Sequence, residues 1–597
     1  MNRYKSILKI AIATCIALAV STATMAQDGS AKPSEKEEDK SIVNFNGLGR
    51  TNLLQTGIDG SILDNDTLTP RSLTDGEFLL DLQINAQPND KTEVQSILRL
   101  RNEFGGFFGA GMVIEVRELW ARGIIANAVE YRVGDMDVEM SPYTFFNPTE
   151  EGTINEPSVF QPQKEIIYYE QFYGDQNTRR MQGAQFDFGL TFTKGLRSAD
   201  FGAFLARVRG TDFLTVPTRL VTGGEAQFST MTLNKEYGTK LDFGFNYVYT
   251  FDDLQSGEAT SGIRNAVTSF TGDLRLINNS DYSIHFLGEG GFSRMSAKQD
   301  SLTTFSSDDY FIDIGAKFNI KSKNLRLQAN FVDVGPDFFS IGAQSKRVQF
   351  DAQKKYYNRA GASQDVRQAT LFDLSRDPAL YTFELSENLM PYDPRFSNTF
   401  PYGKATPNRR GVTANAGYGD EESNLEAQVD AAYMTEIQGQ GTEELKNFAL
   451  VKAATTVHIN KMIDWQNGLR FTLGYQYEQT SRGGTEIESV DLNSNLLELG
   501  LEAELFKNFE FLLGTKYLVA DGSDYIPQIE RFNVIEDFPE RTLIDDEELL
   551  LATGVRYNFK KGIYITLQYH SFAANRNIDD NPSYRLDQVF VLYTMKF

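Results

Sequence analysis

Metal or acyl-transfer chemistry needs imidazoles, thiolates or a histidine-oriented nucleophile at workable spacing. The chain has three histidines, His285, His458 and His570, scattered and none at metal-ligand spacing. Its one cysteine, Cys15, falls in the first 26 residues. No P-loop or dinucleotide fingerprint is present. The sequence therefore gives no footing for a zinc site, a cofactor or an enzyme. What it carries instead is charge of both signs, set at alternate positions of otherwise apolar stretches. The candidates are Arg99, Arg101, Arg117, Arg132, Arg275, Glu289, Lys317, Arg326, Glu426, Asp430, Arg470, Glu498, Glu502 and Arg556. Such a set can pair across strands as a rigid scaffold, or lay a field across a polar passage and select solutes. All three histidines fall on the same faces as these charges.

These positions sit on segments of roughly ten to fourteen residues whose apolar residues recur with period two. Examples are "EFLLDLQINAQ" (77–87), "TKLDFGFNYVYTF" (239–251), "YFIDIGAKFNI" (310–320), "GLRFTLGYQYEQ" (468–479) and "GIYITLQYHSF" (562–572). In the second, Leu241, Phe243, Phe245, Tyr247, Tyr249 and Phe251 share one face, and Asp242, Gly244 and Asn246 the other. Abundant Tyr and Phe, 48 glycines and only 17 prolines agree with β-structure. A net charge of −23 argues against nucleic acid as a partner.

The connections sort by length. Short polar turns ("PNDK" 88–91, "TKGLRS" 193–198, "INNS" 277–280, "KSKN" 321–324, "DEES" 420–423, "FKN" 506–508, "KKG" 560–562) alternate with long links, the longest at 137–180 and 336–408. An up-and-down barrel places its short turns at one rim and its long loops at the other. The expected fold is an all-β, antiparallel up-and-down transmembrane barrel. It should have about 22 strands, with roughly 18–24 bracketing the boundary error. Short turns would be periplasmic and long loops extracellular.

The segment "VFVLYTMKF" (589–597) places Val589, Val591, Tyr593, Met595 and Phe597 on one face. It resembles the C-terminal assembly signal of bacterial outer-membrane β-barrel proteins, in which a terminal Phe follows apolar residues at every second place. The resemblance implies a porin-like barrel in the outer membrane of a Gram-negative cell, with Tyr593, Met595 and Phe597 read by the barrel-assembly machinery. Lipid and lipopolysaccharide would be its surroundings. Residues 1–26, with Arg3, Lys5 and Lys9 ahead of an apolar run, read as a signal peptide. Residues 27–42 read as a flexible leader, and 43–597 as the barrel.

A barrel of this width has a large lumen, and those of 22 strands are usually plugged. Too little chain precedes the first strand for a plug domain. The aromatic-rich loops are the candidates to fill it: Phe338, Phe339, Tyr356, Tyr357, Phe396 and Tyr402 from 336–408, and "SPYTFFNP" and "EIIYYEQFY" from 137–180. Both loops are expected to be ordered, at least one folding inward as a constriction. The acidic run "DDEE" (545–548) could hold bridging cations near the outer rim or be a solvated strand end. Three functions fit: a channel for a small polar solute narrowed by inward loops, a non-conducting barrel serving a protein complex through its loops, or a transporter of an apolar compound.

Overall fold

Alternation in the sequence becomes a closed wall. The computed structural model describes residues 43–61, 71–103, 112–136, 138–146, 156–172, 181–211, 217–254, 261–299, 302–344, 395, 398–420, 422–526, 540–578 and 583–597. The proposed signal peptide and leader lie outside these residues, as do Tyr356, Tyr357 and Phe396. Twenty-two antiparallel strands form one sheet, each paired with its neighbours in sequence. The ring closes where Val43–Asp59 pairs with Tyr584–Lys596, from Leu48↔Lys596 to Asp59↔Arg585. Closure leaves the first and last strands without an open edge, which hydrocarbon would penalise.

Side-chain direction follows the period. In Leu469–Arg482, Thr472, Gln476, Glu478, Thr480 and Arg482 are buried inside, while Leu473 and Tyr475 are exposed outside. In Lys240–Asp253, Phe243, Phe245 and Tyr247 are exposed and Asn246, Val248 and Thr250 are buried. Repeated around the ring, this gives an outer belt of Leu, Ile, Val, Phe and Tyr. In water so large an apolar surface would drive association; in a bilayer it is the surface that lipid requires.

At one rim the connections are tight. Asn127, Asn324 and Asn508, with Gly195 and Gly562, take positive φ there, the left-handed geometry that short hairpin turns need. The long connections gather at the opposite rim, between Met136 and Met181 and between Val334 and Arg409 among others.

One part of the wall departs from apolar-out, polar-in. Leu496, Leu512, Leu518, Leu550, Phe572 and Leu586 point inward. They do so because Val159 and Phe160 stand opposite them within the lumen, so this stretch of inner wall is a hydrophobic core. Gly500 and Gly514 face the same place. A Cβ on Gly500 would lie 2.8 Å from Pro157 Cβ, and one on Gly514 2.5 Å from Val159 Cγ1, so these glycines make the room.

Candidate functional site: the occupied lumen

Two bodies of inner structure fill the half of the barrel nearer the long loops. The first is a turn at Pro157–Phe160 followed by the helix Gln161–Phe172, whose 12 residues reach about 18 Å. Its start is fixed on the late strands. Lys516 Nζ lies 2.6 Å from Glu156 and 3.5 Å from Glu498, and 5.2 Å from the Phe160 ring centroid. Arg470 donates to Ser158 Oγ at 2.6 Å, and Gln163 to Gln588 at 3.1 Å.

Its far end reaches the early strands. The Tyr169 hydroxyl donates to Asp81 Oδ2 at 2.5 Å, and Arg117 donates to the Tyr169 carbonyl while its guanidinium lies 4.1 Å from the ring centroid. Asp81 also takes Arg99 at 2.8 and 2.7 Å and Arg117 at 2.8 Å. Glu77 holds Arg50 at 3.1 Å and Arg101 at 3.5 Å beside it. Arg117 keeps the inward parity of Val113 and Glu115 and is the extra residue of a bulge: the register shifts between Ile97 and Leu98, so that Glu118 after it faces in as well. The helix thus bridges distant arcs of the wall.

The second body joins residues 138–146, 335–344 and 398–408. Phe311, on the wall, stacks on Tyr143 at 4.1 Å and meets Phe338 edge-on at 5.2 Å. Tyr143 donates to Asp313 at 3.0 Å. Ser340 donates to the Thr144 carbonyl at 3.1 Å and Phe146 N–H to Gly342 O at 3.0 Å, tying the two loops together. Phe339 is half-buried, its carbonyl accepting from Asn265 at 2.9 Å, and Tyr402 is buried with its N–H on Thr406 Oγ1 at 3.1 Å. Arg395 anchors on Asp546 at 2.6 Å and Glu548 at 3.1 Å, both shared with Arg576. Half of the "DDEE" run is thus turned inward and ion-paired, not a solvated end.

Toward the short-turn rim the inner wall is polar and half-exposed. Arg275 bridges Asp242 at 2.6 Å and Asp273 at 3.2 Å, and His285 meets Asp273 at 3.1 Å. Glu426 pairs with His458 at 3.0 Å, and Arg470 with Glu502 at 2.8 Å. Arg556 joins Glu510 at 2.5 Å and Glu502 at 3.5 Å. Lys317 stands between His285 and Gln328 on neighbouring strands, and Arg326 donates to Gly419 O at 3.4 Å. Asp430 accepts from Asn415 and from Gln428, whereas Glu289 lies against the second inner body, beside Ser141, Ser269 and Asp313. Arg132 pairs with Glu118 at 3.5 Å and covers Trp120 at 4.7 Å.

Most of the candidate charges therefore fall into two groups, and Arg470, bonded to both Ser158 and Glu502, joins them. Arg99, Arg117, Arg470 and Glu498 bind the inner helix or the residues that hold it. Arg275, Lys317, Arg326, Glu426, Asp430 and Arg556 line the half-open side. Asp81, Glu77, Arg50 and Lys516 share the inward parity of their strands and belong to the first group; Glu77 and Asp81 lie in the alternating stretch 77–87. Tyr169 has no such signal. Tyr593 and Met595 lie on the outer face, opposite in parity to buried Leu592 and Thr594, and Phe597 is 49% exposed.

Outside the wall, hydrogen bonds set two carboxylates. Glu488, in the 483–489 connection, accepts from Thr442 Oγ1 at 2.5 Å and from Thr485 N and Oγ1 at 2.9 and 2.8 Å. These hold its pKa down at about 2. Asp420, in a short turn, is lowered by Ser423.

No family model matches the sequence, and no curated protein matches it. Among solved structures it is similar to the ferric citrate transporter FecA in its unliganded form, with 10% identity, 92% of this chain and 78% of that one covered, and a TM-score of 0.46. It is also similar to OpdQ of Pseudomonas aeruginosa (8% identity, 93% and 98% covered, TM-score 0.32) and to the channel DcaP of Acinetobacter baumannii (8%, 95% and 100%, 0.29). The class follows from the chain's own geometry. A closed ring of 22 antiparallel strands, apolar outside and largely polar inside, has the architecture of an outer-membrane-type β-barrel.

Proposed function

We propose that the protein is an outer-membrane channel for a small polar solute, narrowed by its own inner segments. The observation that carries this reading is the polar, half-exposed inner wall of Arg275, Asp242, Glu426, Arg470, Glu502 and Arg556, below the helix Gln161–Phe172 and the Tyr143–Phe338 body that occupy the lumen. Mixed charges on a wet wall orient dipolar solutes, which suits a small polar molecule. Planar-bilayer recording tests it. Steady unitary currents that grow when 157–172 is replaced by a short Gly/Ser linker support the channel. A silent barrel, before and after that change, sinks it.

A second reading has its own support. The inner segments are held by buried ion pairs and a hydrophobic core, as a permanent filling would be. On that reading the barrel does not conduct, and its long loops serve a protein complex. Electrical silence together with a co-purifying membrane partner would favour it.

A further inference from the structure

The strand Leu469–Arg482 is polar along the whole of its inward face: Arg470, Thr472, Gln476, Glu478, Thr480 and Arg482, with Gly474 among them. Its flanks are not. On one side Thr480 and Glu478 stand beside Phe448 and Leu450, which belong to the core around Tyr143 and Phe338. On the other Gln476 stands beside Leu496, which belongs to the core around Val159 and Phe160. The strand itself gives no side chain to either core. It is therefore the border between the two bodies that fill the lumen. Each body touches it through hydrogen bonds. Arg470 donates to Ser158 Oγ at 2.6 Å, Thr399 N–H to Glu478 Oε1 at 2.6 Å, and Asn398 Nδ2 to Thr480 Oγ1.

Along this border polar atoms are left over. Arg470 Nε, Thr472 Oγ1, Glu478 Oε2 and, facing the strand, Asn398 Oδ1 are buried without a hydrogen bond. Buried polar atoms are as a rule partnered, and orphans mark an arrangement that is strained or that water completes. Gly474 leaves space at the middle of the strip, and the Glu498 carboxylate lies over it: a Cβ there would stand 2.9 Å from Glu498 Oε2. The costs of parting the interior are therefore unequal. Lifting either body off its own core would expose Phe160 and Leu512, or Phe338 and Phe311, to water. Separating the bodies over the strip breaks a few hydrogen bonds that water replaces, and hydrates the four orphaned atoms.

We infer that the filled lumen opens along this strip. Both bodies stay on their own cores and separate over Leu469–Arg482, and water and the solute pass there. The inference rests on the channel reading and locates its path. The strip is long enough: 14 residues at about 3.3 Å each, tilted near 45°, span the roughly 30 Å of hydrocarbon. Its lower end meets the half-exposed wall at Arg470, Glu502 and Arg556. Guanidiniums stand at both ends, with hydroxyls, an amide and the carboxylates of Glu478 and Glu498 between them. Such a lining fits a small solute that both donates and accepts hydrogen bonds.

Single thiols test the strip in a Cys15→Ser chain, which has no other cysteine. Thr472→Cys and Gln476→Cys should react with a water-borne trimethylammonium-ethyl methanethiosulfonate. Reaction at either should cut the unitary current in planar bilayers by roughly half or more. Ala432→Cys and Ala552→Cys, buried in the two cores, should stay inert over the same period. Heat-modifiable gel mobility checks that each variant has folded. A conducting barrel whose strip stays unreactive, or whose current survives modification of the strip, would overturn the inference and leave the channel reading standing. Equal reaction at the two core positions would overturn it too, because the bodies would then be leaving their cores. In a silent barrel the channel reading falls, and labelling decides the strip: reactive beside inert cores, the interior still parts there; inert, it does not.

Discussion

Tyr169 and Asp81 lie 88 residues apart in sequence and meet at 2.5 Å inside the barrel. The carboxylate that receives the tyrosine is the one that Arg99 and Arg117 share, so the helix tip is fastened to a charge cluster built by three consecutive strands. Each partner makes the others tolerable. Buried guanidiniums need the carboxylate, and the carboxylate needs more than one donor. Tyr169→Phe should remove one charge-assisted hydrogen bond, worth about 1.5–3 kcal/mol, and loosen the helix without unfolding the wall. Protease cleavage within 156–172 should then speed up, while the heat-modifiable gel mobility of the barrel stays as it was. Asp81→Ala should be harsher, about 3–5 kcal/mol, because two buried cations lose a shared counter-charge. Asp81→Asn should fall between the two.

Phe338 is fully buried and meets Phe311, which in turn stacks on Tyr143. It therefore joins the 335–344 segment to the wall and to 138–146. Phe338→Ala should cost about 3–5 kcal/mol, the usual loss for an aromatic removed from a close-packed site. Because the strand ladder does not depend on this ring, the loss should appear in inner-segment protection by hydrogen exchange, with the barrel amides unaffected. Equal loss in both would show that the filling and the wall unfold as one.

The pH response of the long-loop rim should follow Glu488. Its pKa is near 2 in the folded chain and ordinary when unfolded, so hydrogen bonding favours the ionised form. The sign follows: the contribution is present in full above the usual carboxylate value of about 4.5 and is lost as pH falls toward 2. Between those limits the link from Glu488 to Thr442 and Thr485 should weaken. Protection of the Thr485 amide, its intrinsic exchange rate divided by the observed one, should fall as the pH is lowered from neutral to 3. Glu488→Gln should exchange fast throughout and show no such step.

Much of the wall could be read from period-two patterns because each strand has one face on lipid and one on the lumen, and such asymmetry writes itself into alternate residues. "GLRFTLGYQYEQ" is the clean case. Reading failed where the lumen is filled. In Phe509–Ile526 the inward set includes Leu512, Leu518 and Ala520, and in Tyr584–Lys596 it includes Leu586, Phe590 and Leu592, so both faces are apolar and the pattern loses its contrast. Asp81 was legible in principle, as the lone charge between Leu80 and Leu82. Tyr169 was not, since its partner is chosen by a helix crossing the lumen, a relationship that no local spacing encodes.

Closure of the ring supplies the last test. Gly47 and Phe597 exchange backbone hydrogen bonds, Gly47 N–H to Phe597 O at 2.9 Å and Phe597 N–H to Gly47 O at 3.1 Å. A Cβ on Gly47 would stand 2.5 Å from Phe597 Cζ and 2.6 Å from the Asp81 carbonyl oxygen. The ring can swing aside, but the carbonyl belongs to the neighbouring strand and can move only with it. Gly47→Ala should therefore slow the appearance of the folded, heat-modifiable band when the denatured chain is refolded into lipid vesicles. Adding Phe597→Ala should recover part of the rate, since it frees the ring's share of the conflict and leaves the carbonyl's. Full recovery would assign the whole conflict to the ring. No slowing in Gly47→Ala would mean that the first and last strands close with room to spare, and that the contact has no part in assembly.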